Sequence, residues 1–405
     1  MLDFVNSKCG TYRNANGHVS VEGLHKEDIL NNIFRVSDIS NCTSGMAFKE
    51  KFETCGRRGS SNCKKCDGED DGVATETASL YLGDRTKMPE CERIAMPTRD
   101  DFFNDFLKRS KPVIITDAMQ NWDAIEKWKN EFLRKEYGKK KIHIKLAPNG
   151  EFEGCEPSRI WEDSRSFKIP QQVRDQLPFP DLVVVRPATM NLKFSDFLDM
   201  VENATLKKNN VSAYLEYSSI PQYMPELEKD IQEFPFVKGM LTRKHLNLWI
   251  SDGNTLGKLH FDPFDNFLCM ISGKKQLIIF EPHENHKLYE AHIPEAILDY
   301  QPETGKFRRK RLLDSTSMVM SPVDILDPDF KRFPEFSKTY PLNCTISEGE
   351  VLFMPAFWWH EVQSFPSLTE NRNVAVNFWY EPFLTKDFPC PGCTLDVNPK
   401  YSHLL

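Results

Sequence analysis

The sequence predicts a mainly β chain with flanking helices, built on an antiparallel jelly-roll core. Eight short apolar runs separated by turn residues follow one another between residues 246 and 380. Apolar residues at helical spacing are confined to the part of the chain before them. The chain also carries 29 Phe and 12% aromatic residues, which suits a sheet-rich interior. With 405 residues it predicts one large domain plus an appendage. No internal repeat is found.

Residues 1–95 show no sustained periodicity and read as a Cys-containing extension. The run K-K-C-D-G-E-D-D-G from Lys64 to Gly72 reads as a solvated linker. A domain over 96–385 follows, with a helical and strand part at 96–245, a jelly roll at 246–385, and a tail at 386–405. Thr98 and Asp101 resemble a capping box ahead of Phe102, Phe103, Phe106 and Leu107. K-P-V-I-I-T-D-A from Lys111 is a buried strand, with further strands at Lys141–Leu146 and Ala213–Tyr217. Ser195 caps a helix that buries Phe197, Leu198 and Val201, and Pro221–Phe234 reads as another helix.

The strands of the second half fall at Leu246–Ile250, Lys258–Phe261, Asn266–Ile271, Lys275–Phe280, Leu342–Ile346, Val351–Met354, His360–Phe365 and Val374–Tyr380. Ser272-Gly273-Lys274 between two apolar runs signals a hairpin.

A formal net charge of −7 gives no general attraction to nucleic acid or to an anionic membrane. Basic runs at Lys139–Lys141 and Lys306–Arg311 read as solvated loops, with contact to acidic partners or RNA as the alternative. No run is long and apolar enough to span a membrane, and M-L-D-F-V-N-S-K-C-G lacks an apolar h-region. A soluble cytoplasmic or nuclear protein is therefore expected, or a secretory one if the true start lies upstream of Met1. Six of the 11 Cys (Cys9, Cys42, Cys55, Cys63, Cys66, Cys91) precede residue 95. A disulfide-stapled module, a metal site and a tail with free thiols all fit that clustering. Cys63/Cys66 and Cys390/Cys393 have zinc-knuckle spacing at opposite ends of the chain, and free or structural thiols are the expectation. Sequons at Asn41, Asn203, Asn210 and Asn343 do not establish secretion.

The chemistry concentrates in Trp249–Pro282. There His260 and Asp262, two apart in an extended segment, point the same way. They supply two thirds of the two-His-one-carboxylate set that binds non-haem Fe(II). Among the other histidines, His18, His25 and His403 lie in terminal segments, and His283, His286 and His292 sit in a polar loop facing water, with a surface metal site as the alternative. His143 reads as a satisfied sheet residue. His360 follows a strand and a Pro-containing turn and begins another strand, which makes it the third ligand. Such a set leaves three positions of an octahedral iron open for a bidentate co-substrate and O2. Lys275, fifteen positions after His260, would need an anion inside a narrow barrel, and the distal carboxylate of 2-oxoglutarate is one. The alternative is an ordinary lysine reaching solvent, as Lys274 beside it does.

The segments K-P-V-I-I-T-D-A-M-Q-N-W, A-Y-L-E-Y, L-H-F-D-P-F-D-N-F-L-C-M-I-S-G-K-K, P-D-F-K-R-F-P-E-F, E-V-L-F-M-P-A-F-W-W-H-E-V and V-A-V-N-F-W-Y occur in that order. Together they resemble the JmjC-domain Fe(II)/2-oxoglutarate oxygenases. Within these the chain is similar to the small cupin-like lysyl hydroxylases and to the asparaginyl hydroxylase that inhibits hypoxia-inducible factor. The resemblance runs from about residue 96 to 385 and implies a double-stranded β-helix.

It also implies that His260, Asp262 and His360 hold iron and that Lys275 and Tyr214 bind the distal carboxylate of 2-oxoglutarate. Asn266 and Asn377 would lie near co-substrate and metal, with Trp249 and Trp379 in the substrate pocket. Where a Thr commonly stands three positions before the first ligand, this chain has Gly257. Thr255 could bind the co-substrate in its place only if the strand shifted. The short tail after Tyr380 lacks paired C-terminal helices, which leaves monomer and homodimer open. The implied reaction consumes 2-oxoglutarate and O2, releases succinate and CO2, and hydroxylates a protein side chain, lysyl by preference, with nucleic acid and membrane not expected as partners. N-methyl-lysine demethylation, tRNA modification and an inactive binding module are the alternatives.

Overall fold

A computed structural model describes residues 88–161, 169–204 and 211–405, all within the compact unit Asp71–Leu405. The first strands in chain order are β1 (Arg93–Ile94), β2 (Val113–Ile115), β3 (Lys141–Pro148), β4 (Glu151–Phe152), β5 (Cys155–Pro157), β6 (Leu182–Arg186), β7 (Ala188–Lys193) and β8 (Val211–Ser219). The jelly roll opens with β9 (Arg243–Ser251), β10 (Leu256–His260), β11 (Asp265–Ser272) and β12 (Lys274–Phe280). After β13 (Ala291–Gln301) and β14 (Lys306–Met320) it closes with β15 (Leu342–Ser347), β16 (Val351–Met354), β17 (Trp359–Phe365) and β18 (Asn373–Tyr380).

Two four-stranded antiparallel layers, β16-β11-β18-β9 and β15-β12-β17-β10, form the double-stranded β-helix. The first layer is extended at its ends by β1 and β2 and by β8, β3 and β7 into a nine-stranded sheet.

Side-chain alternation explains why these strands read as continuous apolar runs. On β11, Phe267, Cys269 and Ile271 pack outward under the helical layer, while Leu268 and Met270 face Leu277, Ile279 and Ile346 of the opposite sheet. The outward face is an aromatic cluster. Phe102 lies 4.9 Å from both Phe236 and Phe353, centroid to centroid, and Phe267 is 4.9 Å from Phe353. Truncating a fully buried Phe in such a cluster costs about 3–5 kcal/mol. The rigid sheet behind the site therefore owes its position to the helical segments packed outside it.

Several local expectations need correction. Thr98 does cap its helix, its Oγ1 accepting from the Asp101 N–H at 3.2 Å, but after Arg99–Asp101 the backbone widens into a π-helix over Phe102–Leu107. Ser195 lies inside its helix, which starts one residue earlier at Phe194 and still buries Phe197, Leu198 and Val201. Pro221–Phe234 forms only a short helix, Ile220–Tyr223, and a 3-10 stretch, Pro225–Asp230, since each is restarted by a proline.

Ser272-Gly273-Lys274 is not a hairpin. β11 belongs to one sheet and β12 to the other, and Gly273, at φ +88°, turns the chain between the layers. The basic run at Lys306–Arg311 lies on β14, and His292 on its partner β13, in a twisted hairpin that the sequence reading took for loops. Charged and apolar residues on it hide the period of two. Cys91 is bonded to Cys344 and Cys390 to Cys393, so neither is a free thiol, whereas Cys63 and Cys66 lie outside the described residues. No helix among the described residues is long and apolar enough to cross a membrane.

Candidate active site

Between the two layers of the jelly roll lies a cleft lined by residues of both. His260, at the end of β10, stands directly opposite His360 on β17, with ring centroids 4.3 Å apart. Asp262 lies just beyond the strand end rather than on the strand, as had been expected, and its carbonyl is held by the Phe357 N–H at 2.9 Å. It nevertheless reaches the same point, Oδ2 lying 3.6 Å from His360 Nε2. One ligand-type atom from each of the three residues lies within 4.8 Å of the others, the sole such cluster found among the described residues.

The protein orients both rings by the same device. His260 Nδ1 is 2.6 Å from the Lys258 carbonyl and His360 Nδ1 is 2.9 Å from that of Trp358. A carbonyl only accepts, so each Nδ1 carries a proton and each Nε2 is the ring nitrogen left to face the cluster. Burial, together with the nearby His260, holds the His360 imidazole well below its usual range and therefore neutral. Burial also raises the Asp262 carboxyl, against the opposing pull of His260. Two imidazoles and one carboxylate converging on one point make a donor set suited to a divalent first-row metal.

A β-bulge decides which residues share this face. On β10, Gly257 opposes Val362 and His260 opposes His360, so three steps on one strand match two on the other. Without the extra residue Gly257 and His260 would face opposite ways. With it, Thr255, Gly257 and His260 all line the cleft. Thr255 is buried, and its carbonyl accepts from Ser364 N–H at 2.8 Å.

Deeper in the cleft, Lys275 is buried on the inward face of β12. Its Nζ donates to Ser364 Oγ at 2.7 Å and lies 3.5 Å from Tyr214 Oη. No carboxylate of the described residues pairs with it, and burial alone pulls its ammonium down to about 7. A buried lysine held only by hydroxyls is an incomplete anion site.

The side wall is an amide ladder. Trp249 Nε1 donates to Asn377 Oδ1 at 2.8 Å, Asn247 Nδ2 donates to the same oxygen at 3.2 Å, and Asn377 Nδ2 reaches Asn266 Oδ1 at 3.4 Å. At the open side, Trp379 stacks on Phe264 at 4.9 Å, and Tyr217 lies 4.4 Å from Trp249. A register shift between Leu215 and Ser218, with Tyr217 at φ +52°, turns that ring onto the cleft. Glu153 and Glu216 line the same end, bound to Arg186 and Lys145 respectively.

The structure thus brings together all ten residues singled out in the sequence: His260, Asp262, His360, Lys275, Tyr214, Asn266, Asn377, Thr255, Trp249 and Trp379. Sequence reasoning missed Ser364, Asn247 and Tyr217. Ser364 was within reach, since it lies four residues after His360 on the same strand face. Tyr217 was not, because its orientation depends on a bulge.

Residues 99–386 match the cupin-like domain family. The chain belongs to that family. Its JmjC relatives include the human bifunctional peptidase and (3S)-lysyl hydroxylase JMJD7, 26% identical over 289 residues, which cover 70% of this chain and 82% of the relative. The lysine-specific demethylase JMJ32 of Arabidopsis thaliana is 25% identical, over 76% of this chain and 84% of its own. The tRNA wybutosine-synthesizing protein 5 of Gallus gallus is 27% identical, over 70% and 74%. This cupin-like chain is accordingly a JmjC oxygenase, of a family that uses Fe(II) and 2-oxoglutarate. Its relatives' names span hydroxylation, demethylation and tRNA chemistry.

Proposed function

We propose that this chain is an Fe(II)- and 2-oxoglutarate-dependent dioxygenase that hydroxylates a protein side chain, a lysyl residue by preference. The observation that carries it is the pairing, in one cleft, of a His-Asp-His cluster with a buried lysine that lacks a carboxylate. Either feature alone has a structural explanation. Together they match the two ends of one chelating dicarboxylate.

In this reading His260, Asp262 and His360 hold iron through the two Nε2 atoms and a carboxylate oxygen. Bound iron, 2-oxoglutarate and O2 supply the oxidant that turns C–H into C–OH, with release of succinate and CO2. The residues of this chain do the rest. Lys275 and Tyr214 receive the distal carboxylate, Ser364 keeps the Lys275 ammonium aimed, and Asn377 and Asn266 fix the polar wall. Trp249, Trp379 and Tyr217 form an apolar lip that guides a long side chain and keeps water from the reacting carbon.

The test is incubation of the protein with Fe(II), 2-oxoglutarate and a cell extract, with succinate measured and products read by mass spectrometry. A +16 shift on a protein lysine is expected. Loss of methyl groups or modified RNA would replace the reading, and absence of succinate under all conditions would sink it.

A further inference from the structure

The tail beyond β18 contributes nothing to the cleft, yet it braces the turn that carries Asp262. Phe388 meets Phe261 edge-on at 5.5 Å and Phe357 at 5.7 Å. Phe261 sits between His260 and Asp262, and Phe357 is the residue whose N–H holds the Asp262 carbonyl. The same tail is pinned at its base by a buried ion pair, Lys386 Nζ to Glu290 Oε2 at 3.1 Å, and Glu290 Oε1 also accepts from the Cys390 N–H at 3.3 Å. Two residues past Phe388 the chain closes on itself through Cys390–Cys393, around exposed Pro391 and Gly392.

The two disulfides of the described residues differ in kind. Cys91–Cys344 spans 253 residues, and both its members are buried in the core between the sheets. Cys390–Cys393 spans three, with both members partly open to solvent. A short ring removes little entropy from the unfolded chain, so this bridge contributes far less to global stability than the long one. Open access and a small conformational cost are the conditions for thiol–disulfide exchange.

We infer that Cys390–Cys393 is a thiol–disulfide exchange site, and that its state sets how firmly the His260–Phe261–Asp262 turn is braced. The partner class is a low-molecular-weight thiol or dithiol. One thiolate attacks a bridge sulfur and releases the other Cys as thiolate. A second thiol then resolves the mixed disulfide, so the bridge gains two electrons and two protons and the reductant leaves as its disulfide. Opening the ring frees Cys390, loosens its contact with Glu290, and lets Phe388 leave Phe261 and Phe357.

The experiment needs neither iron nor turnover, so it stands apart from the proposed oxygenase reaction. The native full chain is titrated with dithiothreitol, alkylated, and mapped by mass spectrometry, with amide hydrogen exchange followed over residues 257–264. Cys390 and Cys393 should become alkylatable at a reductant concentration at least about tenfold below that for Cys91 and Cys344. Exchange at 260–264 should rise severalfold on the same titration curve. The C390S/C393S double variant should show raised exchange without reductant and no response to it, and Phe388→Ala should raise exchange with the bridge intact. Alkylation of Cys390 and Cys393 without any change at 260–264 would overturn the bracing role. A pair that resists reduction as long as Cys91–Cys344, or that is isolated as thiols on zinc, would overturn the exchange site. Should the double variant not fold, the titration of the unaltered chain decides.

Discussion

Replacing Lys275 by Met separates the cost of burying a cation from its use. Burial alone takes the ammonium from 10.5 to about 7. At 1.36 kcal/mol per unit, holding the charge in the co-substrate-free cleft costs about 5 kcal/mol relative to the neutral amine. In that state the unfolded chain keeps the proton up to 10.5, while the folded chain releases it near 7. The penalty is therefore fully present below pH 7 and fades as pH rises towards 10.5, so the unaltered protein gains stability across that window. Lys275→Met fills similar volume without a charge, and its melting temperature should equal or exceed that of the parent at pH 7 and lose this slope.

Binding should move the other way. A dicarboxylate whose distal end is left unpaired in a buried site loses about 3 kcal/mol, or roughly 150-fold in affinity. Succinate formation titrated with 2-oxoglutarate should show that rise for Lys275→Met, with iron affinity unchanged. In the unaltered protein, binding to the neutral amine takes up a proton, so above pH 7 the requirement should climb about tenfold per pH unit. A shift below about threefold in Lys275→Met, or a flat pH dependence of 2-oxoglutarate binding, would refute the anion-site argument.

The remaining expectations concern the metal cluster and two glycines. His260→Ala and Asp262→Ala should abolish succinate formation and weaken Fe(II) binding, read by calorimetry, while leaving the metal-free melting temperature near that of the parent; unchanged turnover would remove them as ligands. Gly257→Thr has room, since an added Cβ meets nothing nearer than Val362 at 4.0 Å. If its hydroxyl reaches the co-substrate, one neutral hydrogen bond lowers the 2-oxoglutarate requirement by about 2- to 10-fold, and an increase would show that the position does not face the co-substrate. Gly273→Ala has none: at φ +88° its Cβ would meet Phe365 O at 2.5 Å. A loss of about 1–3 kcal/mol is expected from thermal or denaturant unfolding, and an unaffected midpoint would show that the crossing between the sheets is not strained there.

How far the sequence could be read depended on whether a residue's direction followed from its position in a regular strand. The eight jelly-roll strands were legible because each is short, carries apolar residues and is bounded by turn residues, and Lys275 lies on a strand whose pairing is regular on both sides. Where the ladder slips, reading by parity fails. Gly257 and His260 are three apart and belong on opposite faces by alternation, yet the bulge in β10 puts them on one.

The same slip in β8 brings Tyr217 onto the cleft, and no composition or spacing signals it. β13 and β14 were missed for another reason: they pair outside the jelly roll, and K-F-R-R-K-R carries charge on both faces, so burial imposes no alternation to detect. Irregular backbone is where the parity of a strand can be reset without moving the strand itself. The two bulges nearest the cleft each add to its lining a residue that a regular ladder would turn away, Gly257 from β10 and Tyr217 from β8. Specificity in this fold can thus depend on bulge position as well as on residue identity, since the bulge in β10 ends at His260 itself.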